Sequence, residues 1–471
     1  MKISLVLPPY NLMKQGYGSK RLFIRAGFFP PLGVGYIASP LLKAGHEVKI
    51  IDSSPLNYQN EDILNDLKIF NPDLIGISSL TASAKEAYSL VGYLRKHFPK
   101  TPIIFGGFHA SCFPEEIFKE ALDLDCLVYG EGEATLLKIV NSIAKNGEID
   151  ENIPGTWVKK NGKIIKNPPA ELVEDLDQLL PPAYELYGWK LYRPLPLQYK
   201  KMPVANMLTS RGCPWRKCTF CFSAGRASQK YRRHSPERVV SEIKNLVENF
   251  GIKEIAFWDD NFLVNEKWVF EFCDLLDKNG LKLPWSANGR VNTVTKLMLE
   301  RAKKSGLWNV FYGFETGNDD LLVRIQKGAT LEQARQATKW ATELGMDVRG
   351  SFMLGLPGET PEKALKTIEF AKEIDIPFAQ FLLTFPEYGT ALYDDALAHG
   401  QIFKEYKGRT TPTYVSEGYK NPEEVREMQK LAYRRFYFRP SFFWKHLKRL
   451  KSWDIIKQYI EGIKLIIGLS S

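Results

Sequence analysis

Three thiols lie within nine positions of the segment RGCPWRKCTFCFSAG: Cys213, Cys218 and Cys221. Thiolates gathered on one loop bind a soft metal, a cluster or one another. A disulfide would use only two of them. A structural zinc ion asks for four ligands, and His234 is at hand to complete such a set. A 4Fe–4S cubane held by three cysteines keeps one iron open for a substrate or cosubstrate. The residue types alone leave these chemistries open. The other cysteines, Cys112, Cys126 and Cys273, stand alone in apolar stretches such as DLDCLVYG and FEFCDLL. They read as buried unpaired thiols. Their scatter is unlike a secreted disulfide framework, so a reducing, cytoplasmic setting is expected.

The elements that must hold this loop alternate strand and helix. VANMLTS, EIAFWDD, LPWSANG, NVFYGFE, RGSFMLG and AQFLLTF read as strands, with helical stretches such as SPERVVSEIKNLVENF and LEQARQATKWATELG between them. Six such units over residues 196–400 predict a partial (β/α)6 barrel of the TIM type, with its site at the carboxyl ends of the strands. The cysteine loop follows the first strand and falls on that face.

From Met207 to Phe222 the chain resembles the radical S-adenosylmethionine (radical SAM) enzymes. The resemblance implies a 4Fe–4S cluster on Cys213, Cys218 and Cys221, with the aromatic Phe220 before the last cysteine. The open iron would chelate the amino and carboxylate groups of S-adenosylmethionine, and reductive cleavage would give methionine and a 5′-deoxyadenosyl radical. The commonest spacing puts three residues between the first two cysteines, whereas CPWRKC has four. One more residue adds at most about 3.5 Å of reach, which a loop can take up as a bulge. Later strand ends fit the same resemblance: FWDDNF with Asp259 and Asp260 near the methionine amino group, NGR with Arg290, YGFETGN with Glu315, FMLGLPGET with Gly355 for close approach to the nucleoside, and FPEYGT. Plain structural roles are also open to them. Asp259 and Asp260 can cap the next helix, and Glu315 can pair with Arg290.

Residues 1–150 alternate in the same way. KISLVLPP, EVKIID, DLIGISS, PIIFGG and CLVYGEGE are continuously apolar, as strands of a parallel sheet covered on both faces are. They predict a doubly wound, Rossmann- or flavodoxin-like sheet with its ligand beyond the strand ends. This half resembles the cobalamin-binding domain that precedes the barrel in one radical SAM subfamily. On that resemblance Pro9 and Tyr10 are candidates for the lower face of the corrin. Ser78, Ser79, Thr81, Gly106, Gly107, His109, Gly130 and Glu131 are candidates for the remaining contacts. The Asp-x-His-x-x-Gly loop of other cobalamin enzymes is absent, LPPYNLMKQG standing in its place, so no histidine of this loop is expected on cobalt. Residues 151–195, with PGTWVKKNGKIIKNPP as a hairpin turned by Asn-Gly, are expected to link the domains.

From 401 to 471 the chain is helical, aromatic and basic. Arg434, Arg435, Arg439, Lys445, Lys448, Arg449 and Lys451 mix there with Phe436, Phe438, Phe442, Phe443 and Trp444. Such a tail can cap the barrel, or lie against the inner face of an anionic membrane. The net charge of the 471 residues is +10, and hydrophobic residues make up 44%. That composition is globular, and no uninterrupted apolar run reaches the ~18 residues of a membrane span. No nucleic-acid recognition module is present, so no nucleic-acid partner is expected. The combined resemblance implies C-methylation of an unactivated carbon in a small-molecule, even lipid-like, substrate, with an electron donor such as flavodoxin or ferredoxin. Radical ring closure or rearrangement needs the same cofactors. A cofactor-binding or electron-transfer protein is the non-enzymatic alternative.

Overall fold

The computed structural model describes residues 1–10, 27–224, 230–403, 412–447 and 453–470. Two compact units emerge, one from the N-terminal strand with Phe28–Tyr192, the other from Arg193–Ser471.

The first unit is built on β1 (Lys2–Leu7), β2 (Glu47–Asp52), β3 (Leu74–Ser78), β4 (Ile103–Gly106), β5 (Cys126–Val128), β6 (Thr156–Lys160) and β7 (Lys163–Lys166). Their order across the sheet is β2-β1-β3-β4-β5-β6-β7, with β1 to β5 parallel. The alternation of side chains explains why the sequence reads as unbroken apolar runs. Ile75, Ile77, Ile103 and Phe105 enter one core, while Leu74 and Ile104 enter the other. Helices such as Leu32–Lys43 and Ala84–His97 cover the two faces. The hairpin expected in the linker instead completes this sheet. Strand β6 pairs antiparallel with β5, and β7 with β6. Its turn residues Asn161 and Gly162 both have positive φ, which a two-residue turn matched to strand twist requires. Trp157 of β6 then stacks on Phe118, and the ammonium of Lys166 lies 4.0 Å from the Trp157 ring centroid.

In the second unit, β8 (Val204–Met207) runs into a short antiparallel pair, β9 (Ser210–Arg211) and β10 (Arg232–Arg233), which closes the base of the cysteine loop. Strands β11 (Glu254–Phe257), β12 (Trp285–Gly289), β13 (Leu307–Glu315), β14 (Asp347–Leu354) and β15 (Phe378–Leu383) follow. All pair in parallel, in the order β15-β14-β13-β12-β11-β8, so the chain forms a six-stranded partial barrel. The helices after these strands open on capping side chains. Ser235, Asn265, Thr295, Thr330, Thr360 and Thr390 each accept a hydrogen bond from the backbone N–H three residues on. The caps set where each strand-end loop stops.

Strand β15 would present unpaired backbone groups at the barrel's edge. Helix Pro422–Tyr437 covers it with side chains. The Tyr437 hydroxyl donates to Ala379 O (2.7 Å) and accepts from Ala379 N–H (3.1 Å), while Gln429 donates to Phe381 O (2.8 Å). Phe436 is completely buried there, so this part of the basic aromatic tail caps the barrel. Beyond it a pair of short strands, β16 (Gly400–Ile402) and β17 (Tyr414–Ser416), and helices Pro440–Leu447 and Trp453–Ser470 complete the unit. Lys448, Arg449 and Lys451 lie outside the described residues, as do the side chains of Phe443 and Lys445.

Trp285 is central to the second unit. It is buried among Phe257, Phe262 and Phe272, with ring centroids 5.5–5.7 Å away, and its indole N–H donates to Ser305 O at 3.0 Å. Trp285→Ala removes a large aromatic and orphans that carbonyl, so chemical denaturation is expected to show a loss of about 3–5 kcal/mol.

Candidate functional site

The cysteine loop leaves the strand ends at Gly212, whose φ of +81° turns the chain outward. Between Cys213 and Cys218 the fourth residue is absorbed where Arg216 takes a left-handed conformation, φ +49°. The resulting bulge is anchored by Trp215, whose indole N–H donates to Gln326 O at 2.9 Å. A side chain at Gly328 would run into the Trp215 ring, and φ +64° there favours glycine as well. Farther along, Thr219 N–H donates to Ile325 O (3.0 Å) and Cys221 N–H to Cys218 O (3.1 Å). Cys218 is buried, while Cys213 and Cys221 are half-buried.

Four consecutive carbonyls, from Ile325 to Gly328, form the platform beneath this loop. Ile325 O takes Thr219, Gln326 O takes Trp215, Lys327 O takes the Arg290 guanidinium, and Gly328 O takes Asn292 at 2.7 Å. The platform is pinned by its own side chain. The Lys327 ammonium donates to Glu315 Oε1 at 2.5 Å, both groups nearly sealed from water. Glu315 therefore pairs with Lys327 and not with Arg290. It sits at the end of β13 with φ +66°, beside a register shift after Gly313, where any side chain would collide with its carboxylate.

Arg290, at the end of β12, lies 3.6 Å from Cys218 Sγ and stacks 5.1 Å over Trp215. Burial pushes the Cys218 thiol up, and Lys327 and then Arg290 pull it back. The Cys221 thiol is also pushed up by burial, with Ser223 opposing. Phe220 packs beside Leu322, Ile325 and Leu356, its ring 5.8 Å from the Lys327 ammonium.

Asp259 is completely buried. Its carboxylate takes the Thr209 N–H and hydroxyl and the Ser210 hydroxyl at 2.5–3.1 Å, tying the end of β11 to the start of the loop. Asp260 accepts from the Ser223 hydroxyl, just after the last cysteine, at 2.7 Å. The cap of the following helix is Asn265, not either aspartate. Gly355, φ +79°, directs its N–H to Glu359 Oε1 at 2.5 Å. That oxygen also accepts from Tyr419 at 2.7 Å, while Oε2 is buried without a partner among the described residues. Burial pushes the Glu359 carboxyl up to about 7. At the sixth strand end the Leu392 N–H donates to Thr219 O (2.9 Å), docking this turn on the cysteine loop. Glu387 in the same turn is half-buried, and burial pushes it up to about 7 as well.

In the first unit the candidates cluster at the ends of β1, β3, β4 and β5. Gly107, φ +92°, passes so close to the end of β3 that a Cβ would strike Ser78 and Ser79. Gly106 O accepts the Ser79 N–H (3.1 Å), and Ser79 O accepts the His109 N–H (3.1 Å). The Ser79 hydroxyl is spent on Leu80 O and Ser83. His109 is buried, its ring nitrogens 2.5 Å from the Tyr88 hydroxyl and 3.4 Å from Thr81, and burial lowers its pKa to about 4. It is a neutral packing node. Around it Leu80 and Phe108 remain 63% and 42% exposed, an apolar ledge at the strand ends. Space is open above Gly130, φ +75°, whose N–H is held by Ser111. Pro9, Tyr10 and Glu131 are half-buried at the same end of the sheet.

The radical SAM superfamily matches residues 207–371, and the B12 binding domain matches residues 23–140. An uncharacterized methyltransferase of Pyrococcus horikoshii is 34% identical over 465 residues, 98% of this chain and 98% of its own. The chain belongs to the cobalamin-binding radical SAM family. An anaerobic magnesium-protoporphyrin IX monomethyl ester cyclase of Rubrivivax gelatinosus is 26% identical, over 88% of this chain and 75% of the cyclase. The structure of the radical enzyme OxsB with aqua-cobalamin and S-adenosylmethionine bound shares the fold, with a TM-score of 0.66 at 21% identity. That match covers 84% of this chain and 54% of OxsB, so the chain spans about half of OxsB's length.

This radical SAM enzyme uses a 4Fe–4S cluster, S-adenosylmethionine and cobalamin. Its residues fit them. A cubane bound by one thiolate per iron takes Cys213, Cys218 and Cys221 and keeps one iron open. Arg290, 3.6 Å from Cys218 Sγ, offsets part of the negative charge that thiolates and cluster bring, while the Lys327 ammonium is matched by Glu315. The apolar ledge and the open backbone at Gly130 suit a broad, flat corrin with a polar tail. Lys327, Trp215, Gln326 and Glu359 were not legible as site residues. RIQKGAT has no motif character, and only Gly328 hints at a close approach.

The orphaned oxygen of Glu359 yields a pH test. A carboxyl whose pKa is raised on folding adds stability below its unfolded value, and that stability is lost as pH rises through about 7. Glu359→Gln keeps the acceptor for Gly355 and Tyr419 and bears no charge at any pH. The unfolding temperature of the apo chain is expected to fall between about pH 5 and 8, and to fall less in Glu359→Gln.

Proposed function

We propose that the enzyme methylates an unactivated carbon of a small-molecule substrate. The observation that carries this reading is the full-length likeness to a protein named as a methyltransferase. When bound and reduced, the cluster supplies the electron that cleaves S-adenosylmethionine to methionine and a 5′-deoxyadenosyl radical, and cobalamin carries the methyl group. The chain's own task is placement. In this reading Cys213, Cys218 and Cys221 hold the cluster, and Arg290 offsets part of its charge. Asp260 and Gly355 lie along the S-adenosylmethionine side, while Ser78, Gly107 and Gly130 line the cobalamin side. Asp259, Glu315, Ser79 and His109 support the strand ends from beneath. A flavodoxin- or ferredoxin-like donor provides the electrons.

A second reading, radical ring closure without methyl transfer, is favoured by the likeness to the cyclase. Both need the same cofactors, so product analysis separates them. With cluster, cobalamin and a low-potential reductant, the enzyme is expected to release 5′-deoxyadenosine from S-adenosylmethionine. Replacing Cys213, Cys218 and Cys221 with Ala should abolish release. Deoxyadenosine from that variant at the wild-type rate would end the radical SAM reading. A substrate product heavier by one methylene supports methyl transfer, and one lighter by two hydrogens supports ring closure.

Glu387 is the carboxyl in this face with no donor among the described residues, on a turn docked against the cysteine loop. In the proposed reaction it faces the substrate. Glu387→Gln is expected to lower methylated product by about a hundredfold to ten-thousandfold, the usual range for a positioned acid–base group. Uncoupled release of 5′-deoxyadenosine should continue. Equal loss of both products would make Glu387 a structural residue of the loop.

A further inference from the structure

Helix Trp453–Ser470 has two faces with different fates. One is tied to the barrel unit: Gln458 Oε1 accepts the Leu197 N–H at 2.8 Å, and Glu461 pairs with Arg193 at 3.0 Å. The other carries Trp453, Ile460 and Ile463, which fall on one stripe of a 3.6-residue helix. They are 66%, 48% and 46% exposed. Trp444 on the preceding helix is 69% exposed. A stripe of large apolar side chains left in water calls for a covering surface. Lys457 and Lys464, both exposed, flank the stripe along the same side of the helix. Among the described residues no helix is long and apolar enough to cross a membrane.

We infer that this helix lies flat on an anionic lipid bilayer surface. The tryptophans and isoleucines sink to the headgroup boundary, and the lysines extend their stems sideways to meet lipid phosphates. The charge favours this occupant over a second copy of the chain. Two copies facing through the stripe would bring like-charged lysines together, whereas an anionic surface neutralises them. The inference holds for either proposed reaction, because the stripe contains none of the residues assigned to cluster, nucleoside or corrin.

The test is cosedimentation of the reconstituted full chain with phosphatidylglycerol-containing vesicles and with pure phosphatidylcholine vesicles. Binding to the anionic vesicles at low salt is expected, with release as salt rises. The triple variant Trp453→Ser/Ile460→Ser/Ile463→Ser is expected to lower the bound fraction by about tenfold or more. Its thermal unfolding and its cleavage of S-adenosylmethionine should be unchanged. Lys457→Glu/Lys464→Glu should weaken binding while leaving the apolar stripe intact. Absence of wild-type binding would overturn the inference, as would equal binding to neutral vesicles. So would a dimer in gel filtration that the triple variant dissolves, since the stripe would then be covered by a second copy.

Discussion

A single buried ion pair, Lys327 with Glu315, underlies the cluster side of this enzyme. Two charges removed from water stay there only if the attraction and the surrounding hydrogen bonds offset a desolvation penalty of several kcal/mol per ion. Here the pair fixes the position of a backbone segment whose successive carbonyls receive Thr219, Trp215, Arg290 and Asn292. The cysteine loop has no regular secondary structure of its own to hold its thiols. It borrows rigidity from this segment, and its longer spacing is accommodated by inserting Trp215 into the gap beside Gly328. The geometry of the loop is thus set by a stretch of chain a hundred residues away.

The same division of labour recurs at the other strand ends. Asp259 turns entirely inward to join β11 to the start of the loop, while its neighbour Asp260 reaches Ser223 near the last cysteine. Adjacent residues leaving a strand point to opposite sides, so one becomes support and the other faces the site. In the first unit Ser79 and His109 are occupied by local partners, while Leu80 and Phe108 stay exposed at the strand ends. Polar residues at a strand end are therefore not equivalent, however alike they look in one dimension.

The basic aromatic tail shows two solutions to one composition. In helix Pro422–Tyr437 the aromatics are buried, and their hydroxyls satisfy the backbone of the edge strand. In helix Trp453–Ser470 the side chains of Gln458 and Glu461 bind the barrel unit, and Trp453, Ile460 and Ile463 face outward. Composition cannot distinguish the two, because the difference lies in which stripe of the helix meets the rest of the fold.

Local physics determined much of this protein in its sequence. Apolar runs of strand length, separated by amphipathic helices, specify a doubly wound parallel sheet and a parallel partial barrel. Cys213, Cys218 and Cys221 mark a thiol-rich loop, and the radical SAM resemblance of the segment around them implies a cluster with an open iron. Asn161-Gly162 specifies a hairpin turn. Each signal is carried by residues within a few positions of one another. Only the tertiary structure decided that the hairpin joins the first sheet, that Glu315 selects Lys327 over Arg290, and that Gly355 N–H turns to Glu359. Those outcomes are choices among competing partners that are distant in sequence. Burial, the removal of water from all but one arrangement, makes the choice, and no local pattern encodes which groups will be buried together.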